Sequence, residues 1–124
     1  MVISNVFEMF IRKFPQLEEE IKKNLKDNMV DINDGIYVIW GMGVMPSVIR
    51  MIDCIADNEK VGSSIFDFFE EMASGGNEEL KELLMYSTLE TLGDDKIRLS
   101  TSRRLMKKET RYLSEKIEAY LGRD

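Results

Sequence analysis

The chain has 124 residues, 44% hydrophobic and 32% charged, which describes one folded domain with a core of its own. It carries 23 acidic and 17 basic side chains, a net charge of −6, no histidine and a single cysteine. Those counts exclude Ser-His-Asp and Cys-His nucleophilic chemistry, histidine general bases, structural zinc and any intrachain disulfide.

Apolar residues recur at helical spacing along most of the chain. Ile3, Phe7, Phe10, Ile11 and Phe14 predict a first helix, with Ser4 or Asn5 as its N-cap. Pro15 cannot continue that helix but suits the first turn of the next. The second helix carries Leu17, Ile21 and Leu25. Its Glu18, Glu19 and Glu20 near one end and Lys22, Lys23 and Lys26 toward the other complement the helix dipole.

Residues 28–44 break the pattern. Asn33-Asp34-Gly35 signals a turn, and Ile36-Tyr37-Val38-Ile39-Trp40 is rich in β-branched and aromatic residues. Two forms fit: a minor hairpin over residues 29–40, with Met29–Ile32 as the partner strand, or a buried extended approach to the next helix.

Helical spacing then resumes. Pro46 or Ser47 opens a third helix with the stripe Met45, Val48, Ile49, Ile52, Ile55 and Ala56, interrupted at Asp57-Asn58-Glu59. A fourth carries Val61, Ile65, Phe66, Phe69, Met72 and Ala73 and stops at Gly75-Gly76. Asn77 caps a fifth, which runs through Leu80, Leu83, Leu84, Leu89 and Leu92 to Gly93. Ile97, Leu99, Leu105 and Met106 mark a sixth, and Leu113, Ile117, Tyr120 and Leu121 a last one ending at Gly122. The expected fold is a single all-α domain over residues 1–124, a compact antiparallel bundle of about six to seven short helices. The paired order hints at HEAT-like stacking, though no fixed-period repeat is present.

Charge is distributed unevenly. Residues 27–95 hold 15 acidic and 3 basic side chains, whereas residues 96–124 hold 9 basic and 4 acidic. An acidic body repels nucleic acid and attracts cationic partners, chiefly by raising association rates. The basic segment, with Arg103, Arg104, Lys107, Lys108 and Arg111, has two readings: a polyanion patch, or cations that pair with the acidic body. The overall sign opposes direct nucleic-acid binding. No run of about 18 apolar residues predicts a membrane span, and the first eight residues lack a basic leader region. With the lone Cys54, this makes the cytoplasm the expected compartment.

No catalytic motif emerges. Gly41-Met42-Gly43 lacks the third glycine and the βαβ context of a dinucleotide loop and reads as a flexible turn. Asp53 with Asp57 and Glu78 with Glu82 share helix faces at i, i+4, and Asp94-Asp95 sit in a turn. Pairs of this kind are the only candidates for a metal-assisted hydrolase, and exposed helix acids are the commoner explanation. Cys54, between Asp53 and Ile55, is expected to be a small buried residue. No catalytic residue, cofactor or metal ligand is assigned.

Phe14-Pro15, Tyr37-Val38-Ile39-Trp40-Gly41 and the run from Ile65 to Ala73 resemble a family of small acidic bacterial helical proteins of uncharacterised function. Leu89-Glu90-Thr91-Leu92-Gly93-Asp94-Asp95 and the segment from Thr110 to Glu118 extend the likeness over most of the chain. Met106-Lys107-Lys108-Glu109 departs from the family pattern, which has a glycine-containing turn before the last helix. Members look like the immunity proteins of bacterial toxin systems. The resemblance therefore implies a non-enzymatic protein that neutralises a cognate, basic toxin domain, such as a nuclease, through its acidic surface. Tyr37, Trp40, Asp53, Asp57, Glu70 and Glu71 are the expected contact residues. The rival reading from another class is a helical adaptor that binds a peptide or regulatory partner in a groove.

Overall fold

The computed structural model describes residues 1–123, which form a bundle of seven helices with no strand among them. They are α1 (Val6–Lys13), α2 (Glu18–Asp27), α3 (Ile36–Asp53), α4 (Glu59–Ser74), α5 (residues 78–92), α6 (Lys96–Leu105) and α7 (Lys108–Leu121). Short 3-10 turns at Pro15–Leu17, Ile32–Asp34 and Ile55–Asp57 join several of them. Helix α4 lies at the centre, burying Ile65, Phe66, Phe68, Phe69, Met72 and Ala73 against α3, α5, α6 and α7. Helix α7 folds back onto both α4 and α5.

The expected hairpin over residues 29–40 does not form, and Pro46 does not open a helix. Ile36 to Asp53 is one continuous helix whose middle, Trp40–Val44, widens into a π-turn with Met45 N–H donating to the Trp40 carbonyl. A π-turn inserts one extra residue and re-phases the side chains that follow. Pro46 comes two residues after it, so the site where proline breaks the α-ladder is already irregular. The apolar repeat therefore changes phase inside one helix, which made its first half look like something else.

By length and composition α3 is long and apolar enough to cross a membrane, a property hidden when the sequence is broken at Pro46. Half of it is buried in the bundle, where Ile39, Trp40, Val44, Met45, Val48, Met51 and Ile52 pack into the core. Gly43 permits that packing. A Cβ there would sit 2.7 Å from Leu25 Cδ2, so the glycine lets α2 approach α3 closely. Asn24 crosses the same contact, donating to the Gly43 carbonyl at 3.0 Å and to Ser47 Oγ at 2.9 Å. The Gly41-Met42-Gly43 segment is helical, not a flexible turn.

A second π-turn, Leu84–Leu89, interrupts α5 and packs against the first. Trp40 joins them: fully buried, its indole Nε1–H donates to Thr88 Oγ1 at 2.9 Å. Phe10 stands edge-on to Trp40 with ring centroids 5.4 Å apart, and Phe68 is perpendicular to Phe10 at 5.3 Å. Edge-to-face aromatic packing of this kind adds about 0.5–1.5 kcal/mol per pair beyond area burial.

Candidate interaction surface

The structure disperses the six residues expected to form the contact surface. Trp40 is corrected outright: with no exposure at all it cannot touch a partner. Glu70 is committed internally. Its carboxylate accepts from the Glu109 and Thr110 backbone N–H groups at 3.1 and 2.9 Å and from the Thr110 hydroxyl at 2.8 Å. It thus caps the first turn of α7 from a neighbouring helix, doing what an N-cap side chain does locally. Met106 and Lys107 are extended, which makes the α6–α7 connection without a glycine.

Asp53 is half-exposed and receives Arg98 in two parallel hydrogen bonds of 3.1 and 3.0 Å. It shares no helix face with Asp57, because α3 ends at Asp53 and Asp57 lies in the following 3-10 turn. Glu71 is exposed beside a shallow hollow lined by Met9, Lys13, Ser64, Asp67 and Phe68. Cys54, at the C-cap of α3, is exposed rather than buried.

Of the other carboxylate pairs, Glu78, Asp94 and Asp95 are likewise held by the protein itself. Glu78 pairs with Lys81 at 3.6 Å, Asp94 with Arg123 at 2.6 Å, and Asp95 caps α6 by accepting the Arg98 N–H at 2.9 Å. Among the described residues no three acidic or thiol side chains converge as metal ligands. The basic C-terminal segment is partly spent in the same way, on Asp53, Asp67 and Asp94. Arg123 also clamps the buried Glu118 at 2.6 Å. Gly93 leaves room for that clamp, since a Cβ would lie 2.2 Å from Glu118 Oε2.

Tyr37 is the expected residue around which a surface does assemble. It stands half-exposed in the first turn of α3, followed by the exposed Val38 and Met42. Across from it, α5 presents Glu79, Glu82 and the half-exposed Tyr86. Partial burial, then the negative field of Glu82, Tyr86 and Glu79, raises the Tyr37 phenol above its usual pKa of 10.0. In a spectrophotometric titration Tyr37 should therefore ionise later than an exposed tyrosine. Glu82→Gln should bring its midpoint partway back, and no change in that variant would remove Glu82 from its surroundings.

The loop that leads into α3 adds two of the most exposed apolar side chains, Met29 at 91% and Ile32 at 78%. Met29 has φ 56°, in the left-handed region. It occupies the position after the α2 C-cap, where the Val30 N–H returns to the Leu25 carbonyl at 2.9 Å and the Met29 N–H to Lys26 at 3.0 Å. Glycine is the usual residue there, and a side chain costs about 1–2 kcal/mol. Asp31 and Asp34 brace the loop through a reciprocal capping box, with Asp31 accepting the Asn33 N–H at 2.8 Å and Asp34 the Asp31 N–H at 2.7 Å. Asp31, Asp34, Glu79 and Glu82 join no ion pair among the described residues. Asp31 and Asp34 belong to the loop of Met29 and Ile32, and Glu79 and Glu82 face Tyr37.

Sequence reading missed Met29, Ile32, Val38, Met42 and Tyr86 as surface residues. The turn signal at Asn33-Asp34-Gly35 masked the first two, and Tyr86 falls outside the leucine stripe of α5. Its position off that stripe was the available clue.

Fold and surface together define an all-α bundle that exposes apolar and aromatic side chains, with Glu79 and Glu82 facing Tyr37. The chain belongs to the family described as Domain of unknown function (DUF7674), whose family model matches residues 7–122. No curated protein and no solved structure matches the chain.

Proposed function

We propose that this protein acts by binding another protein, and that the face around Tyr37 and Tyr86 is its contact surface. The observation that carries the reading is the half-exposed Tyr37 facing Tyr86, Glu79 and Glu82, the two carboxylates joining no ion pair among the described residues, on a helix entered by a loop that exposes Met29 and Ile32. Apolar and aromatic side chains supply the desolvated centre of an interface, while border charges speed encounter and select partners of opposite sign. The partner is accordingly cationic at its rim and apolar at its centre. The finer proposal is that this partner is a toxin domain and the protein its immunity factor. Support for it comes from the acidic body and from the likeness in type to such proteins.

The test is co-expression with the product of the neighbouring gene, followed by co-purification and rescue from toxicity. Wild-type protein should bind and protect. Tyr37→Ala combined with Tyr86→Ala should weaken binding by about 2 kcal/mol or more, roughly thirtyfold, with the helical circular dichroism unchanged. A toxic neighbour that is neither bound nor neutralised ends the immunity reading. A wild-type complex insensitive to both tyrosine substitutions would move the interface elsewhere.

A further inference from the structure

The chain has seven arginines. Arg12, Arg50, Arg98 and Arg123 each hold a carboxylate of the protein. Arg103, Arg104 and Arg111 hold none among the described residues, and all three line one open groove between α6 and α7. Lys96, Leu99 and Ser100 complete its walls, and no carboxylate does. In a protein with an excess of acidic groups, surface arginines readily find partners. The groove gathers the three together, and no carboxylate among its lining residues offsets their charge.

Two of these guanidinium groups are also held in place. Arg103 Nε donates to the buried Ser114 Oγ at 3.3 Å, and Arg111 Nη2 donates to the Arg103 carbonyl. Arg104 makes no such bond within the protein, so its donors face outward, as does the exposed Ser100 hydroxyl. Planar guanidinium forks, here held by the Ser114 hydroxyl and the Arg103 carbonyl, match the oxygens of phosphoryl groups.

We propose that the α6–α7 groove is a binding site for a compact polyphosphate anion about the size of pyrophosphate. Three guanidinium groups and one ammonium need several negative charges within a short span. Linked phosphoryl groups supply that, whereas a single carboxylate does not. A long nucleic-acid strand fits less well, because residues 27–95 carry a net charge of −12 that would repel its extension beyond the groove. This site is built from helices other than those of the Tyr37 face and stands whether or not that face binds a toxin.

Calorimetric titration of the full chain with sodium pyrophosphate tests it, with citrate and a single-stranded RNA oligonucleotide as comparison ligands. The expected result is saturable one-to-one binding of pyrophosphate that weakens as salt is raised. Arg104→Ala, which removes no internal hydrogen bond, should weaken it about tenfold or more, and Arg111→Ala similarly. Arg12→Ala, which loses only its Glu8 pair, should bind as wild type. No saturable binding, affinity no greater than for citrate, undiminished binding by Arg104→Ala, or affinity that appears only with RNA would each overturn the proposal.

Discussion

Trp40→Ala is expected to lower the free energy of unfolding by about 3–5 kcal/mol, the usual cost of emptying a large aromatic site in a packed core. The size follows from its position. The indole fills the junction of the two π-turns, packs edge-on against Phe10 and donates to Thr88. Truncation leaves a cavity and an unpartnered hydroxyl together. Thr88→Val separates the two effects: it keeps the shape but strands the buried indole N–H, and should cost about 1–3 kcal/mol. Urea unfolding monitored by circular dichroism measures both. A cost below about 1 kcal/mol for Trp40→Ala would mean that the indole is not the joint between α3 and α5.

The second large effect is expected at Glu70, where alanine should cost about 2 kcal/mol. One carboxylate there accepts three hydrogen bonds from the start of α7, and bonds to a charged acceptor are the stronger kind. The loss should be local as well as global. Amide hydrogens in the first turns of α7 should exchange faster in Glu70→Ala than those of α4, which loses no internal bond. Its chain neighbour Glu71 is exposed, and Glu71→Ala should change stability by no more than about 0.5 kcal/mol. Equal effects from the two substitutions would show that α7 does not depend on this cap.

Those two glutamates also show where sequence reasoning stops. Adjacent, equally acidic and on one predicted helix, they look interchangeable as surface charges. Their difference comes from the placement of α7, whose first turn arrives 40 positions later in the chain at Thr110. Trp40 and Tyr37 differ in the same manner. Three residues apart on one helix, one turns into the junction with α5 and the other out toward Glu82. Composition enriches both for interfaces, and only the packing of α3 against α5 assigns their directions.

Elements with a single phase were legible. The stripes of α1, α2 and α4 follow the helical period, and the starts of α5 and α6 carry local signals, with Asn77 Oδ1 accepting the Leu80 N–H at 3.1 Å and Asp95 capping α6. The beginning of α3 was not legible, because its π-turn shifts the repeat and its β-branched residues carry strand preference. Tertiary burial of Ile39, Trp40 and Val44 overrides that preference.

By itself, then, the sequence determined an all-helical, acidic, single-core chain without histidine chemistry, because periodicity, composition and capping act over a few residues and need no distant partner. The tertiary structure alone decided which charges remain available. Asp53, Asp94 and Glu70 are bound internally by Arg98, Arg123 and the α7 backbone, while Glu79 and Glu82 stay beside Tyr37, and Arg103, Arg104 and Arg111 hold no carboxylate among the described residues. The physical reason is one of range. A helix forms from contacts four residues apart, but a charge is neutralised by whatever the fold brings within hydrogen-bond distance, and that pairing is set only when the helices pack.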